Sequence, residues 1–216
     1  MTNIPSPPDQ DTLQPKRAAH LLQRQETLQC EAQIVLDELE LAPRLSRVGT
    51  LRQVGSSTLG LMVWRDIDLA VSSLALRFED AFEAMRPLYL NARVKQMRHF
   101  NQSGPFNLTG EQIYERYYFA CVYETEEGNE WKFDISFWLG YDLHPEPVQD
   151  ALERQLTPEL RLPILWIKDL WYQLPTYRTE VASTDIYDAV LQHNVRTPAQ
   201  FDTYLAQRGK PTRSGM

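Results

Sequence analysis

Apolar residues recur at helical spacing near the start of the chain. Over residues 15–41 the leucines, together with Ala32, Ile34 and Val35, return every three to four positions, and Pro15 suits a first helical turn. This pattern predicts one long amphipathic helix. A second amphipathic helix is predicted over residues 76–90, ending near Pro87.

Between and after these helices the pattern changes to that of strands. Residues 44–57 hold short apolar runs with glycines, which predict a strand that approaches a turn, and residues 56–61 predict a short helical turn. The run "DIDLAV" begins at Asp66, alternates at period two and then becomes wholly apolar, as a central strand does. A further strand is predicted over residues 93–100.

Two aromatic runs predict a β-hairpin. "RYYFACVYE" and "WKFDISFWL" flank "TEEGN", in which Gly128 and Asn129 suit a tight turn. In the second run, the period of two places Lys132, Asp134 and Ser136 on one face and large apolar residues on the other.

The remainder of the chain has the pattern of helices. Four are predicted, at roughly 148–156, 158–173, 184–193 and 198–208, with N-caps at Thr157, Thr184 and Thr197. The fold class is therefore α/β (α+β), with a mixed sheet flanked by helices and an all-helical C-terminal half. The predicted divisions are a mobile polar lead at 1–15, an α/β domain at 16–143, a helical lobe at 144–208 and a loose tail at 209–216.

Composition narrows the function classes. The formal net charge of −7 argues against tight, sequence-independent binding to nucleic acid, which depends on Lys and Arg neutralising phosphates, although a nucleotide as a small ligand needs only a local positive site. No apolar run approaches the roughly 20 residues that span a bilayer. The first residues carry no secretory signal pattern, so a cytoplasmic location is expected.

Cysteine and histidine do not suggest a metal or disulfide site. Cys30 and Cys121 show no CxxC spacing and are predicted to be buried free thiols. The four histidines are scattered without zinc-like grouping, which favours surface or packing roles: His20, His99, His144 and His193.

Three carboxylates form a candidate site for binding a cation. Asp66 and Asp68 leave the same face of one strand about 6 to 7 Å apart, and Asp134 has the same apolar flanks in another strand. If the two strands are neighbours, the three acids converge, and their repulsion requires a cation. Mg²⁺, often as a pair of ions, is the hard cation that accepts carboxylate oxygens and also holds phosphates. Gly55 permits close backbone approach, and the Ser56 hydroxyl with nearby N–H groups suits phosphate oxygens.

These residues resemble the nucleotidyltransferase superfamily that includes DNA polymerase beta and the antibiotic adenylyltransferases. The resemblance lies in Val54-Gly55-Ser56, a spacer at 57–65, Asp66-Ile67-Asp68-Leu69 and later Phe133-Asp134-Ile135. It implies that Asp66 and Asp68 hold two divalent ions and the triphosphate, and that Asp134 binds one ion and helps to deprotonate the acceptor hydroxyl.

The resemblance also implies an activity. The expected reaction is Mg²⁺-dependent transfer of a nucleoside monophosphate from a nucleoside triphosphate, such as ATP, to a hydroxyl acceptor, with release of pyrophosphate. A small-molecule acceptor is favoured. The expected nucleotide-binding residues are Gly55, Ser56, Ser57 and Lys132.

Several alternatives remain open at this stage. The apolar spacer and Arg65, which stands where the family commonly has a small polar residue, also fit a catalytically inactive nucleotide-binding or regulatory protein. Lys132 fits either a phosphate contact or an ion pair with an acid of the site. Arg65 fits a surface position, which is favoured, or stacking on a base. The nucleobase, the acceptor and the oligomeric state have no signature in the sequence.

Overall fold

The computed structural model describes residues 12–213, so residues 1–11 of the predicted lead and residues 214–216 of the predicted tail lie outside the described residues. The described chain forms two compact units. One comprises residues 27–149, and the other joins residues 12–26 to residues 150–213.

Eight α-helices lie within residues 12–213. They are α1 (Pro15–Glu38), α2 (Leu41–Leu45), α3 (Ser56–Leu59), α4 (Phe78–Tyr89), α5 (Pro147–Gln155), α6 (Pro158–Trp171), α7 (Ser183–Gln192) and α8 (Pro198–Ala206). The long N-terminal helix was predicted to reach residue 41, but it ends at Glu38, because Glu40 adopts a left-handed conformation with φ of 48°. The separate α2 follows. Pro87, predicted near the end of its helix, lies in the last turn of α4.

In the described part of the chain, five strands form one mixed sheet. They are β1 (Thr50–Val54), β2 (Asp66–Ser73), β3 (Val94–Gln102), β4 (Arg116–Glu124) and β5 (Glu130–Leu139), in the order β1-β2-β5-β4-β3. The predicted hairpin is confirmed by the antiparallel pairing of β4 with β5. Strands β2 and β5 are parallel neighbours, and every other pair is antiparallel. The predicted mixed sheet with flanking helices is therefore present.

The two faces of the sheet differ. Ile67, Ile135 and Phe119 belong to the buried face, which packs against apolar residues of α1, α2 and α4. This arrangement follows from the period of two along each strand: the intervening positions are turned to the opposite face. That opposite face carries the polar positions of β2 and β5, including Asp68 and Asp134.

The second unit buries aromatic residues in α6 and in the segment that follows it. Trp166, Trp171 and Tyr177 are buried. Thr157 and Thr197 stand at the N-caps of α6 and α8, and the Thr197 hydroxyl accepts a hydrogen bond from the Gln200 N–H at 3.3 Å.

The predicted N-cap at Thr184 is wrong. Helix α7 begins one residue earlier, after Ala182. The carboxylate of Asp185 accepts a hydrogen bond from the Ala182 N–H at 2.8 Å, so an acid inside the first turn fixes the start of the helix.

The burial prediction for cysteine is correct for Cys121 and wrong for Cys30, which is exposed. In α1 the buried positions include Leu28, Ala32 and Val35, and residue 30 points to the other side of the helix. Within residues 12–213, no helix is both long enough and apolar enough to cross a bilayer.

Candidate active site

The three predicted carboxylates converge. The parallel register sets Asp68 directly opposite Asp134, and Asp66 precedes Asp68 by two residues on the same face. Each of the three offers one carboxylate oxygen, and these oxygens all lie within 4.8 Å of one another. Asp66 is buried and the other two are half-buried. We call Asp66, Asp68 and Asp134 the carboxylate triad.

The donor set of the triad fits a hard divalent ion. Carboxylate oxygens are the ligands that Mg²⁺ takes from proteins. Three carboxylates at this separation also concentrate negative charge in a partly desolvated place, which is unfavourable without a cation. The triad could therefore hold a metal ion, as the sequence predicted.

Lys132 is the protein's own cation at the triad. It lies opposite Asp66 in the β2–β5 register. Its ammonium group forms an ion pair with Asp134 and lies 3.6 Å from Asp66 Oδ1. Of the two roles left open by the sequence, the structure shows the ion pair with an acid of the site.

Tyr118 contacts the triad from β4 and was missed by the sequence reasoning. Its hydroxyl donates a hydrogen bond of 2.5 Å to Asp134 Oδ1. Burial, followed by this hydrogen bond, raises the pKa of Tyr118, so the phenol keeps its proton and stays a donor. The hairpin register was the available signal: it pairs Ala120 with Asp134, and Tyr118 lies two residues away on the same face.

Gly55 contacts Asp68 so closely that no side chain fits. Its backbone has φ of 75° and ψ of −160°, a region that glycine alone adopts readily. A Cβ atom at residue 55 would lie 2.2 Å from Asp68 Oδ2. The predicted close approach of the Gly55 backbone is therefore to the triad itself.

The two serines after Gly55 have different surroundings. The Ser57 hydroxyl accepts a hydrogen bond from Gln53 Nε2 at 2.9 Å, and the Ser57 carbonyl accepts one from Gln29 Nε2 at 2.7 Å. Within residues 12–213, the Ser56 hydroxyl has no hydrogen-bond partner. Ser57 thus anchors the turn to its neighbours, whereas the hydroxyl of Ser56 remains available to a ligand.

Gln149 is a second residue that the sequence reasoning missed. Its side-chain oxygen accepts the Gly55 N–H at 2.8 Å, and its amide donates to Thr58 Oγ1 at 3.0 Å. Gln149 therefore satisfies the backbone donor of Gly55, a residue that the sequence placed among the nucleotide-binding residues. Because Gln149 and Gly55 are 94 residues apart in the sequence, no local pattern indicates that they are in contact.

Arg65 and other charged residues are paired within their own units. Arg65 Nε lies 2.9 Å from Glu31 Oε2, which supports its surface role. Lys95 forms ion pairs with Glu124 and Glu130. In the helical unit, Asp169 pairs with Arg24 at 2.8 Å.

No protein-family model and no curated protein matches this sequence. Solved structures do match this chain. The structure of Cid1, described as an RNA terminal uridylyl transferase, superposes with a TM-score of 0.57 at 16% identity and covers 84% of this chain. The chain has the nucleotidyltransferase fold. At this identity the likeness establishes the fold and not the activity.

Two further structures match less well. A cytoplasmic RNA terminal U-transferase gives a TM-score of 0.43 at 17% identity over 69% of this chain. CdnC from E. coli MS115-1, described with ATP, gives 0.39 at 14% identity over 92% of this chain. This chain covers 54% of the Cid1 chain, 46% of the U-transferase chain and 68% of the CdnC chain, so it spans about half the length of the first two.

Proposed function

We propose that this protein transfers a nucleoside monophosphate from a nucleoside triphosphate to a hydroxyl group, in a reaction that depends on Mg²⁺ and releases pyrophosphate. The observation that carries the proposal is the convergence of Asp66, Asp68 and Asp134 within 4.8 Å, on a nucleotidyltransferase fold. The reaction forms a bond from the acceptor oxygen to the α-phosphorus and breaks the bond from the α-phosphorus to the β-bridging oxygen. The acceptor hydroxyl loses its proton.

Asp134 takes that proton. Tyr118 holds Oδ1 of Asp134 by its hydrogen bond, and Lys132 pairs with Oδ2. When Lys132 turns to the phosphates, Oδ2 becomes the oxygen that receives the proton. Tyr118 then orients Asp134 without competing for the proton, because its raised pKa keeps it neutral.

The triad carboxylates would hold the metal, with Asp66 and Asp68 on β2 and Asp134 on β5. Bound Mg²⁺ would neutralise the triphosphate and stabilise the charge that develops on the attacking and leaving oxygens. Ser56 binds a phosphate oxygen through its hydroxyl, and Gly55 lets the turn lie against Asp68.

We favour a small-molecule acceptor, because the net charge of −7 disfavours a long polyanion. The match to an RNA terminal uridylyl transferase makes RNA the alternative to be tested beside it. ATP, GTP, CTP and UTP, each labelled at the α-phosphate, would be incubated with Mg²⁺ and either small hydroxyl compounds or short RNA. Transfer that disappears in Asp68→Asn supports the proposal, and the absence of transfer and of triphosphate binding in every combination would refute it.

A second candidate function is a nucleotide-binding or regulatory protein without turnover. Lys132 favours it, since a protein cation already pairs with Asp134 and lies near Asp66. Thermal unfolding with ATP and Mg²⁺ separates the two: a ligand at 100 times its Kd stabilises a protein by about 2.7 kcal/mol. Stabilisation that is unchanged in Asp134→Asn, with no product formed, would favour this second function.

A further inference from the structure

A cavity with a volume of about 730 Å³ lies at the β3 edge of the sheet, and its lining includes Arg116 and Trp138 from the polar face. Its size is within the range of roughly 300–1,000 Å³ that is typical of small-molecule sites. Strand β3, the start of β4, the end of β5 and the segment that joins β3 to β4 all contribute to its walls. The residues that matter most for its chemistry are Phe100, Phe106, Leu108, Tyr114, Arg116 and Trp138.

Arg116 is the cation of this cavity. Its guanidinium lies 4.7 Å from the centre of the Tyr118 ring and 4.8 Å from that of Trp138. Two of its nitrogens are occupied: Nη1 donates to Ser136 Oγ at 2.8 Å, and Nε donates to Gln102 Oε1 at 2.7 Å. Within residues 12–213, Nη2 has no hydrogen-bond acceptor.

No carboxylate in residues 12–213 forms an ion pair with Arg116. Asp134 and Glu146 act on it only from longer range, and burial lowers its pKa in spite of them. A desolvated guanidinium is costly unless an anion pairs with it. In a chain with a net charge of −7, an arginine that forms no ion pair with any acid in the described part of the chain indicates that its anion comes from outside.

The rim of the cavity is apolar and exposed. Leu108 is 98% exposed and Phe106 is 62% exposed, and Phe100 and Tyr114 are also exposed. Exposed apolar side chains that gather around one opening are typical of a ligand site. Among the lining residues, Phe100 stacks on Tyr118 with ring centres 5.6 Å apart, which fixes the Phe100 ring in a position that suits a planar ligand ring.

The wall of the cavity is held in place before any ligand binds. Asn107 Oδ1 accepts hydrogen bonds from the N–H of Thr109 at 3.1 Å and from its hydroxyl at 2.7 Å. Asn107 Nδ2 donates to the Glu111 carbonyl at 2.8 Å. A preformed wall lowers the entropic cost of binding.

Tyr118 connects Arg116, a lining residue of the cavity, to the triad. Tyr118 donates to Asp134 on one side and lies against Arg116 on the other. We propose that the cavity binds the acceptor substrate, a small hydroxyl compound that combines a planar aromatic ring with an anionic group. Its ring packs on the aromatic wall, and its anionic group accepts a hydrogen bond from Arg116 Nη2. The binding site stands on the geometry alone, whereas the acceptor role rests on the proposed function.

Two sources supply this chemistry, a nucleoside monophosphate and a hydroxylated aromatic acid. Isothermal titration with EDTA present compares AMP and 4-hydroxybenzoate with adenosine, which lacks the anion, and with inorganic phosphate, which lacks the ring. We expect AMP or 4-hydroxybenzoate to bind at least about tenfold more tightly than the two partial probes, since the contact with Arg116 is charge-assisted. The stronger of the two identifies the source, and binding of neither at millimolar concentration overturns the proposal.

Arg116→Gln should lower the affinity for the probe at least about tenfold, because it removes the charged hydrogen-bond donor. Arg98→Gln is the matched control. Arg98 lies on the same face of the sheet and is exposed, but it does not line the cavity, so its loss should leave the affinity unchanged. Asp68→Asn should not lower the affinity for the probe. If Asp68→Asn abolishes probe binding and Arg116→Gln retains it, the probe binds at the triad, and this result overturns the proposal.

Leu108→Glu provides a test that does not depend on Arg116→Gln folding. The side chain of Leu108 is almost fully exposed, so the fold tolerates the change, and a negative charge at the rim should repel the anionic probe. Leu108→Gln is its control. Equal affinity in the two variants would contradict the site, whereas binding through Arg116 in a protein that transfers nothing from any triphosphate would overturn the acceptor role alone.

Discussion

Gly55 and Asp68 fit against each other with no space between them: a Cβ atom at residue 55 would lie 2.2 Å from Asp68 Oδ2. The turn before α3 and the second acid of β2 are therefore one structural unit. This contact explains why glycine stands at the turn, since the positive φ and the proximity of a carboxylate both exclude a side chain.

Gly55→Ala should displace the Asp68 carboxylate. We expect a loss of about 1–3 kcal/mol in stability from the backbone conformation, together with at least a tenfold loss of divalent-ion affinity. Calorimetry for the ion and thermal unfolding for stability measure the two effects. Gly128→Ala is the control, because Gly128 also has positive φ but has nothing within 4 Å of its Cβ position. Wild-type ion affinity in Gly55→Ala would show that the contact does not position Asp68.

Asp68→Asn and Asp134→Asn should change stability in opposite directions in metal-free buffer. Asp68→Asn removes one charge from three crowded acids and should raise the Tm, while Asp134→Asn removes the ion-pair partner of Lys132 and should lower it. A change on the order of 1 kcal/mol corresponds to about 2–4 °C at this chain length. Differential scanning calorimetry in EDTA tests both variants. Severe unfolding of Asp68→Asn would mean that its carboxylate is structural.

The periodicity of the strands predicted most of the site. Alternation in β2 and β5 placed Asp66, Asp68 and Asp134 on polar faces, and the pairing of β2 with β5 brought them together. The strand that became β4 carried the same information for Tyr118, but its register to β5 depended on how the hairpin closes. Local pattern therefore predicted the acids and not the tyrosine that contacts one of them.

Contacts between distant segments were beyond the sequence. Gln149 reaches the Gly55 N–H across 94 residues, and a glutamine on a polar stretch carries no sign of such a role. The start of α7 was misplaced for a local reason, since the Asp185 carboxylate accepts the Ala182 N–H and so makes Ala182 the N-cap in place of Thr184. Arg116 lacked a signal because its significance lies in having no acid partner among the residues that the structure describes, which only the fold reveals.

The two cysteines should react at very different rates. Burial raises the pKa of the Cys121 thiol to about 12, so below that pH it stays neutral and unreactive, whereas Cys30 is exposed on α1. With iodoacetamide at about pH 8, Cys30 should be alkylated at least tenfold faster, as measured by mass spectrometry of peptides. Both should react at similar rates in guanidinium chloride.

The raised pKa of Cys121 also determines the direction in which stability changes with pH. The pKa of the Cys121 thiol is near its ordinary value of 9.0 in the unfolded chain and about 12 in the folded protein, so the folded state binds more protons in this interval. The contribution of Cys121 to stability should therefore fall as the pH rises between these values. Cys121→Ser, compared with wild type in denaturant titrations at several pH values, tests the slope. In the iodoacetamide experiment above, equal alkylation rates of Cys30 and Cys121 in the folded protein would contradict the burial of Cys121 on which this pH dependence rests.

Lys132→Gln should separate the two proposed functions. Lys132 pairs with Asp134 and lies 3.6 Å from Asp66 Oδ1, so its ammonium competes with a divalent ion for the same oxygens. Without nucleotide, we expect Mn²⁺ to bind to Lys132→Gln about three- to tenfold more tightly than to wild type, as measured by electron paramagnetic resonance. Lys95→Gln removes the same charge from an exposed ion pair on β3 and should leave the affinity unchanged. If Lys132 moves to the phosphates during transfer, the same variant should bind ATP with Mg²⁺ more weakly and lose activity. Tighter metal binding with unchanged nucleotide binding would instead assign Lys132 to the inactive, regulatory function, because the lysine would then only replace the metal.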